Sequence, residues 1–139
     1  MPPLTRWFVR TALLYFVLAL LTGAALALRS VLNLPAWVST LQPLYFHLFM
    51  LGWVTQLIFG VVFWMFPKFS MERPRGSERL GWMSFGLLNA GLALRAVGEP
   101  WVALQPGTTG GWLLAASAIL QLLAGWAFVA NTWARVREK

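Results

Sequence analysis

The sequence predicts an all-α membrane protein, a four-helix transmembrane bundle with both termini in the cytoplasm. Of its 139 residues, 59% are hydrophobic and only 11% are charged, whereas soluble domains carry about a quarter charged residues. The mean hydropathy is +0.67, and long uncharged stretches separate the few charged residues. Most basic residues also fall on one side of the predicted bundle. We therefore expect one transmembrane domain over residues 1–139, with the lipid bilayer as its main solvent.

The first helix is predicted over residues 7–28, because the stretch from Thr11 to Leu28 carries no charge. A membrane span needs about 20 apolar residues. The run Ala24-Ala25-Leu26-Ala27 leads directly into Arg29 rather than into a polar mature domain. This pattern favours a retained helix over a cleaved signal peptide.

The second helix is predicted over residues 43–66. Pro43 suits the first turn of a helix, where its missing N–H removes no hydrogen bond. Pro67 follows the last turn and ends the helix. The next residues, 68–79, are polar and mostly charged, so we expect a basic cytoplasmic loop there.

The third helix is predicted over residues 80–98, interrupted by Arg95 and closed by Glu99 and Pro100. After the turn-rich residues 106–111, the fourth helix is predicted over residues 112–134. With these bounds no acidic residue lies within a span. That absence disfavours a small proton-coupled transporter, which needs a carboxylate inside the membrane.

The basic residues predict the orientation of the chain. By the positive-inside rule, the side with more lysine and arginine faces the cytoplasm, which gives a multi-pass protein of the inner cell membrane. The net charge of +7 is therefore a topology signal, and we expect no nucleic-acid partner. The residues predicted on the cytoplasmic side are Arg6, Arg10, Lys68, Arg73, Arg75, Arg79, Arg135, Arg137 and Lys139, and those on the outer side are Arg29 and Arg95.

Three primary amides fall near the middle of three predicted helices: Gln56, Asn89 and Gln121. An amide that faces lipid is costly, so each should point into the bundle or a subunit interface. The two open interpretations are a hydrogen-bonded clamp between helices and a path for a proton or substrate. Small residues flank two of the amides at helical spacing, namely Gly52, Gly60, Ser117 and Gly125.

The candidate site residues are His47 and Arg95, predicted at one depth towards the outer side. The chain has no cysteine and one histidine, which excludes iron–sulfur clusters, thiol catalysis and sites built from two of its own histidines. A buried imidazole and guanidinium repel each other unless the ring is neutral or an anion lies nearby. A haem meets both conditions, because iron binds a neutral imidazole and propionates pair with arginine. In the alternative, His47 only forms a hydrogen bond and Arg95 extends to the headgroups.

The second predicted helix resembles one helix of a known family. Residues 45–53 surround His47, and residues 59–68 contain Gly60, the aromatic pair Phe63 and Trp64, and Pro67. This pattern resembles the second transmembrane helix of the catalytic subunit of haem-copper oxidases, most closely the nitric oxide reductase and cbb3-type branch. In that family a histidine near the outer end of this helix is an axial ligand of the low-spin haem.

The resemblance implies a haem b whose iron is bound by His47, with Arg95 as the candidate partner of a propionate. It is sharp over residues 41–68 and elsewhere extends only to hydropathy and helix order. The other histidines of the family have no counterpart, so we expect no copper or zinc and no self-contained reductase. We expect a module for electron transfer or gas sensing, within a homodimer or a respiratory complex, that is not an enzyme alone. The alternatives are a cofactor-free accessory or scaffold subunit and, less favoured, a small transporter.

Overall fold

The computed structural model describes residues 1–72 and 74–136, and four long helices run through them. Each is long and apolar enough to cross a membrane, which confirms the prediction of an all-α chain with four such helices. Arg73, Arg137 and Lys139, predicted on the basic side, lie outside the described residues. The helices are α1 (Pro3–Leu28), α2 (Ala36–Met65), α3 (Glu78–Leu104) and α4 (Thr108–Thr132), with a 3₁₀ turn, Trp133–Arg135, after α4.

The first pair of helices, α1 and α2, packs through glycines of α2. A Cβ atom at Gly60 would lie 2.7 Å from Cβ of Phe8, and one at Gly52 would lie 2.7 Å from Cγ of Tyr15. Only a residue without a side chain fits at such distances. The two glycines predicted to flank Gln56 therefore set how closely α1 and α2 approach.

The second pair, α3 and α4, is joined by serine hydroxyls. The Oγ of Ser117 donates to the carbonyl of Gly91 at 2.7 Å, and the Oγ of Ser84 donates to the carbonyl of Ala124 at 2.9 Å. Both serines are buried. The hydrophobic effect does not drive apolar helices together in a lipid environment. There, close packing at small residues and hydrogen bonds from hydroxyls to backbone carbonyls stabilise their association.

Apolar side chains join the two pairs. Near the start of α1, the ring of Phe8 meets the ring of Phe85 edge-on at 5.1 Å. At the other end of the bundle, Ala96 of α3 packs against a cluster that contains Ala19 and Leu44. The bundle therefore has an aromatic contact near the loop between α2 and α3 and an aliphatic one near Arg29.

Arg135 ties the end of α4 to the end of α2. Its side chain is 1% exposed, and its Nε, Nη1 and Nη2 donate to the carbonyls of Pro67, Phe63 and Phe66 at 3.0, 3.2 and 2.8 Å. The last carbonyls of a helix lack partners within it and carry partial negative charge. The structure thus shows that Arg135, predicted only as a topology-setting cation, caps α2.

Helix α3 continues through Pro100 to Leu104, whereas the sequence predicted that Glu99 and Pro100 end it. Proline in a helix costs about 3 kcal/mol, partly because it removes one hydrogen bond. Packing against α4 offsets this cost, since Gly98 lies against Leu114. Glu99 consequently lies within α3, and the expectation that no acidic residue falls in a span is wrong.

The other bounds also differ from the prediction, most of all the start of α2, which lies at Ala36 and not at residue 43. Helix α1 begins at Pro3 and α4 at Thr108, each four residues before its predicted start. Helix α2 begins with a 3₁₀ turn at Ala36 and ends at Met65, because the residue before Pro67 is extended, as proline favours. The sequence did not predict the π-helical stretch Leu48–Thr55.

We predict that Gly60→Leu destabilises the bundle by about 1–3 kcal/mol, the usual cost of overpacking, because the new side chain collides with Phe8. Gly86→Leu is the matched control, since a Cβ at Gly86 meets nothing within 4 Å and its stability should be unchanged. Thermal unfolding in a mild detergent measures both. Equal melting temperatures for the two variants would contradict the packing described here.

Candidate functional site

The structure brings the helical segments of His47 and Arg95 to one level of the bundle. His47 lies in α2, and Ala96, the neighbour of Arg95 in α3, packs against the cluster that contains Leu44 and Leu48. This level is close to the end of the bundle that carries Arg29. Among the described residues, no hydrogen bond or ion pair joins the His47 and Arg95 side chains directly.

The His47 ring is held in one orientation by the backbone of its own helix. Its Nδ1 lies 2.9 Å from the carbonyl oxygen of Pro43. A carbonyl only accepts, so Nδ1 carries the proton and donates it. In the neutral ring Nε2 then holds the lone pair, and it has no partner in the described part of the chain. Histidines that bind metals commonly have this arrangement, with one nitrogen donating to a carbonyl and the other free to coordinate.

The side of α2 near His47 forms part of the outer surface of the bundle. Leu44 and Leu48, on either side of it along the helix, are buried. Phe46 and Met50 are 54% and 52% exposed, and His47 itself is half-buried between these two faces. A flat cofactor that reached Nε2 would therefore lie against the surface of the bundle and not within its core.

Arg95 pairs with a carboxylate of its own helix. Its Nη1 lies 3.0 Å from Oε1 of Glu99, and the two side chains are only 16% and 12% exposed. The Nε of Arg95 is buried and has no hydrogen-bond partner. Sequence reasoning missed Glu99 because it placed the helix end there, although the four-residue spacing of arginine and glutamate is that of a helical ion pair.

Two open grooves meet beside Phe46 of α2. The groove of about 600 Å³ runs between α1 and α2, with Tyr45 in its wall. The groove of about 540 Å³ runs between α2 and α3, with Pro43 and Glu99 in its wall. Pro43, whose carbonyl orients His47, therefore lines the same groove as Glu99, which pairs with Arg95.

A π-helical stretch, Leu48–Thr55, begins directly after His47. Such stretches are rare, and they occur frequently at functional sites. Gly52 lies inside the stretch and packs against the ring of Tyr15. The wider turn therefore follows the candidate ligand and contains one of the two glycines at which α2 packs closely against α1.

The three central amides do not bond to one another in the described structure. Gln56 is fully buried and its Nε2 donates to Oγ1 of Thr11 in α1. Asn89 donates to a carbonyl one turn earlier in α3, and Gln121 donates to the hydroxyl of Ser117 in α4 at 3.1 Å. The predicted clamp between helices is confirmed for Gln56 alone, while serine hydroxyls provide the bonds between α3 and α4.

Among residues 1–72 and 74–136, no three histidine or acidic side chains lie together as a metal-binding group. The chain has one histidine, so it can offer a metal one imidazole ligand. A porphyrin supplies the four equatorial nitrogens itself, so one histidine would suffice as a ligand from this chain if a haem were bound.

We predict that Glu99→Gln destabilises the protein by about 3 kcal/mol, because removal of one partner leaves the Arg95 charge largely buried and unpaired. The double variant Arg95→Leu with Glu99→Leu should recover most of this loss, since it removes both charges. Unfolding in detergent, analysed as a double-mutant cycle, measures the coupling. A double variant as unstable as Glu99→Gln would show that the pair is not coupled.

Comparison of the chain with protein-family models, with curated proteins and with solved structures finds no match. The resemblance of the second helix to haem-copper oxidases therefore stays a prediction that depends on its own residues. The function is argued below from the geometry of this one chain.

Proposed function

We propose that the four helices span the inner cell membrane, with the loop between α2 and α3 on the cytoplasmic side together with both termini. The apolar composition of each helix supports insertion, as do large apolar side chains exposed on the bundle surface, such as Leu14 and Leu21 at 64% and 63%. The basic residues support the orientation.

We predict that single cysteines at Ser70 and Thr108 label from opposite sides of the membrane. Both positions are exposed, and the chain has no cysteine of its own. A membrane-impermeant maleimide added to sealed inverted vesicles should label Ser70→Cys, and in intact spheroplasts it should label Thr108→Cys. Labelling of both variants from the same side would refute the topology.

Within this bundle we propose an oxidase-like module that binds a b-type haem through Nε2 of His47, for electron transfer or gas sensing. The observation that carries the proposal is the bond from Nδ1 to the Pro43 carbonyl, which leaves Nε2 unpartnered on a surface of the bundle. When bound, the haem supplies a one-electron couple and an iron that coordinates small gases. The residues of this chain supply the ligand and its orientation.

The neighbouring residues have separate roles in this proposal. The Pro43 carbonyl holds the ring orientation and makes the imidazole a stronger ligand. Glu99 balances the charge of Arg95, so the ring has no uncompensated cation nearby. The Nε of Arg95 lacks a partner among the described residues, and because it is buried a propionate would reach it only after the side chain moves.

A surface position for the haem favours an assembly of more than one chain. The chain has one histidine, and Met50 lies on the same side of α2 and cannot reach the opposite face of the iron. A second axial ligand would come from a second chain. The partner is either a copy of this protein across a two-fold axis, where the same residues repeat on both sides, or a subunit of a respiratory complex.

The second candidate is a cofactor-free accessory subunit. One observation favours it, because Glu99 satisfies most of the charge of Arg95 without a propionate. The two candidates differ in a single property, the presence of bound haem. An absorption spectrum of the purified protein therefore distinguishes them.

We predict that the protein, expressed with ample haem supply, purifies with a Soret band and with α and β bands on reduction. His47→Ala should lose these bands, because it removes the only histidine ligand, and should remain inserted and folded. Gln121→Leu is the control for a half-buried polar side chain, and it should keep the spectrum.

Two results would contradict the proposal in different ways. An unchanged spectrum in His47→Ala would show that the ligand assignment is wrong. A wild-type protein that carries no haem under these conditions would favour the accessory subunit.

A further inference from the structure

Arg29 is an uncompensated cation at its end of the bundle. Its side chain is half-buried and contacts no acceptor in the described part of the chain. Residues 29–46 and 95–112, which form this end, carry two other charges, those of Arg95 and Glu99. These two neutralise each other across their 3.0 Å ion pair, so the net positive charge at this end belongs to Arg29.

Two grooves meet at Arg29, and their linings differ in chemistry. Leu26 and Arg29 line both of them. The groove between α1 and α2, about 600 Å³, continues along small residues of α1 that include Gly23 and Ala24. The other groove, about 500 Å³, opens beside Ser30 and Asn33. A slot that is apolar along α1 and has Ser39 and Gln42 on its α2 side therefore leads to a mouth that holds a guanidinium, a hydroxyl and an amide.

The turn after α1 also matches the boundary between lipid and water. It is closed by a bond from the Leu34 amide to the Arg29 carbonyl at 3.0 Å, with Asn33 at a φ of 49°. Val31 and Leu32 are 73% and 59% exposed beside the polar mouth. Apolar side chains that lie next to a cation and an amide are suited to the headgroup region of a bilayer.

We propose that this site binds one anionic phospholipid. The Arg29 guanidinium pairs with the phosphate, for which its planar fork of donors is well matched, and Ser30 and Asn33 are positioned as further donors. One acyl chain lies along the slot beside Leu20 and Ala24, both of which are exposed. An anionic lipid fits better than a zwitterionic one, whose own ammonium would leave the charge of Arg29 uncompensated.

The inference rests on the part of the proposed function in which the helices span a bilayer, and it does not depend on haem. Its failure can be separated from a failure of that function. Cysteine labelling tests insertion and the absorption spectrum tests haem. Lipid binding is measured by the mass of the complex.

The test is native mass spectrometry of the detergent-solubilised protein, titrated with phosphatidylglycerol or with phosphatidylcholine of the same acyl chains. We expect a one-to-one adduct with phosphatidylglycerol at about a tenth of the concentration needed for phosphatidylcholine, because both lipids offer Arg29 a phosphate but only the choline lipid brings its own ammonium close to this cation. Arg29→Gln should remove this preference. The control Arg10→Gln, at an exposed arginine near the other end of α1, should keep it.

A second variant tests the slot without changing any charge. Ala24→Leu should weaken the adducts of both lipids, because the larger side chain fills the groove. Three results would each overturn the proposal. They are a preference for phosphatidylglycerol that persists in Arg29→Gln, an equal loss of that preference in Arg10→Gln, and unchanged lipid binding in Ala24→Leu. Displacement of the lipid by an equal concentration of inorganic phosphate would show a site for free anions instead.

Discussion

The cap that Arg135 places on α2 is the interaction on which the arrangement of the four helices depends. Helices α2 and α4 make few other direct contacts, and three hydrogen bonds from one guanidinium join their ends. The carbonyls at the end of α2 would otherwise have no partner. Asn131, one turn earlier in α4, binds the start of α3, because its Oδ1 accepts a hydrogen bond from the backbone amide of Ser77. The last helix thus positions both ends of the loop that connects α2 and α3.

The same requirement, that buried polar groups find partners inside the bundle, shapes the candidate site. Serine hydroxyls bond to backbone carbonyls, Arg95 bonds to Glu99, and Nδ1 of His47 bonds to Pro43. Two nitrogens at this level are left over, Nε2 of His47 and Nε of Arg95. The haem proposal rests on these two nitrogens, because a free imidazole nitrogen can bind iron and a guanidinium can pair with a carboxylate.

Charge is distributed unequally between the two ends of the bundle. At the Arg29 end the ion pair of Arg95 and Glu99 is neutral, and a single cation remains beside the slot between α1 and α2. Near the loop between α2 and α3 basic residues are numerous, although the guanidinium of Arg135 is buried against the end of α2. His47 lines neither of the grooves that meet at Arg29, so the lipid and haem proposals rest on different residues of the bundle.

The sequence by itself determined the class of the protein and the number of its helices, because hydropathy and length are local and add up residue by residue. It also placed Pro43 in the first α-helical turn, which follows the 3₁₀ segment Ala36–Leu41, and ended α2 before Pro67. Each of these follows from spacing along a single helix. The spacing of Gly52 and Gly60, four residues on either side of Gln56, likewise predicted that another helix packs closely against α2 at these glycines.

Only the tertiary structure decided which partners these residues meet. Helix α3 passes Pro100 because packing on α4 outweighs a local cost of about 3 kcal/mol. The amides bond to Thr11, to Ser117 and to their own backbone, and Arg135 reaches α2, because such bonds depend on how each helix is rotated about its axis. In helices that are apolar on nearly every side, the hydropathy pattern specifies that rotation weakly, and packing against the neighbours sets it.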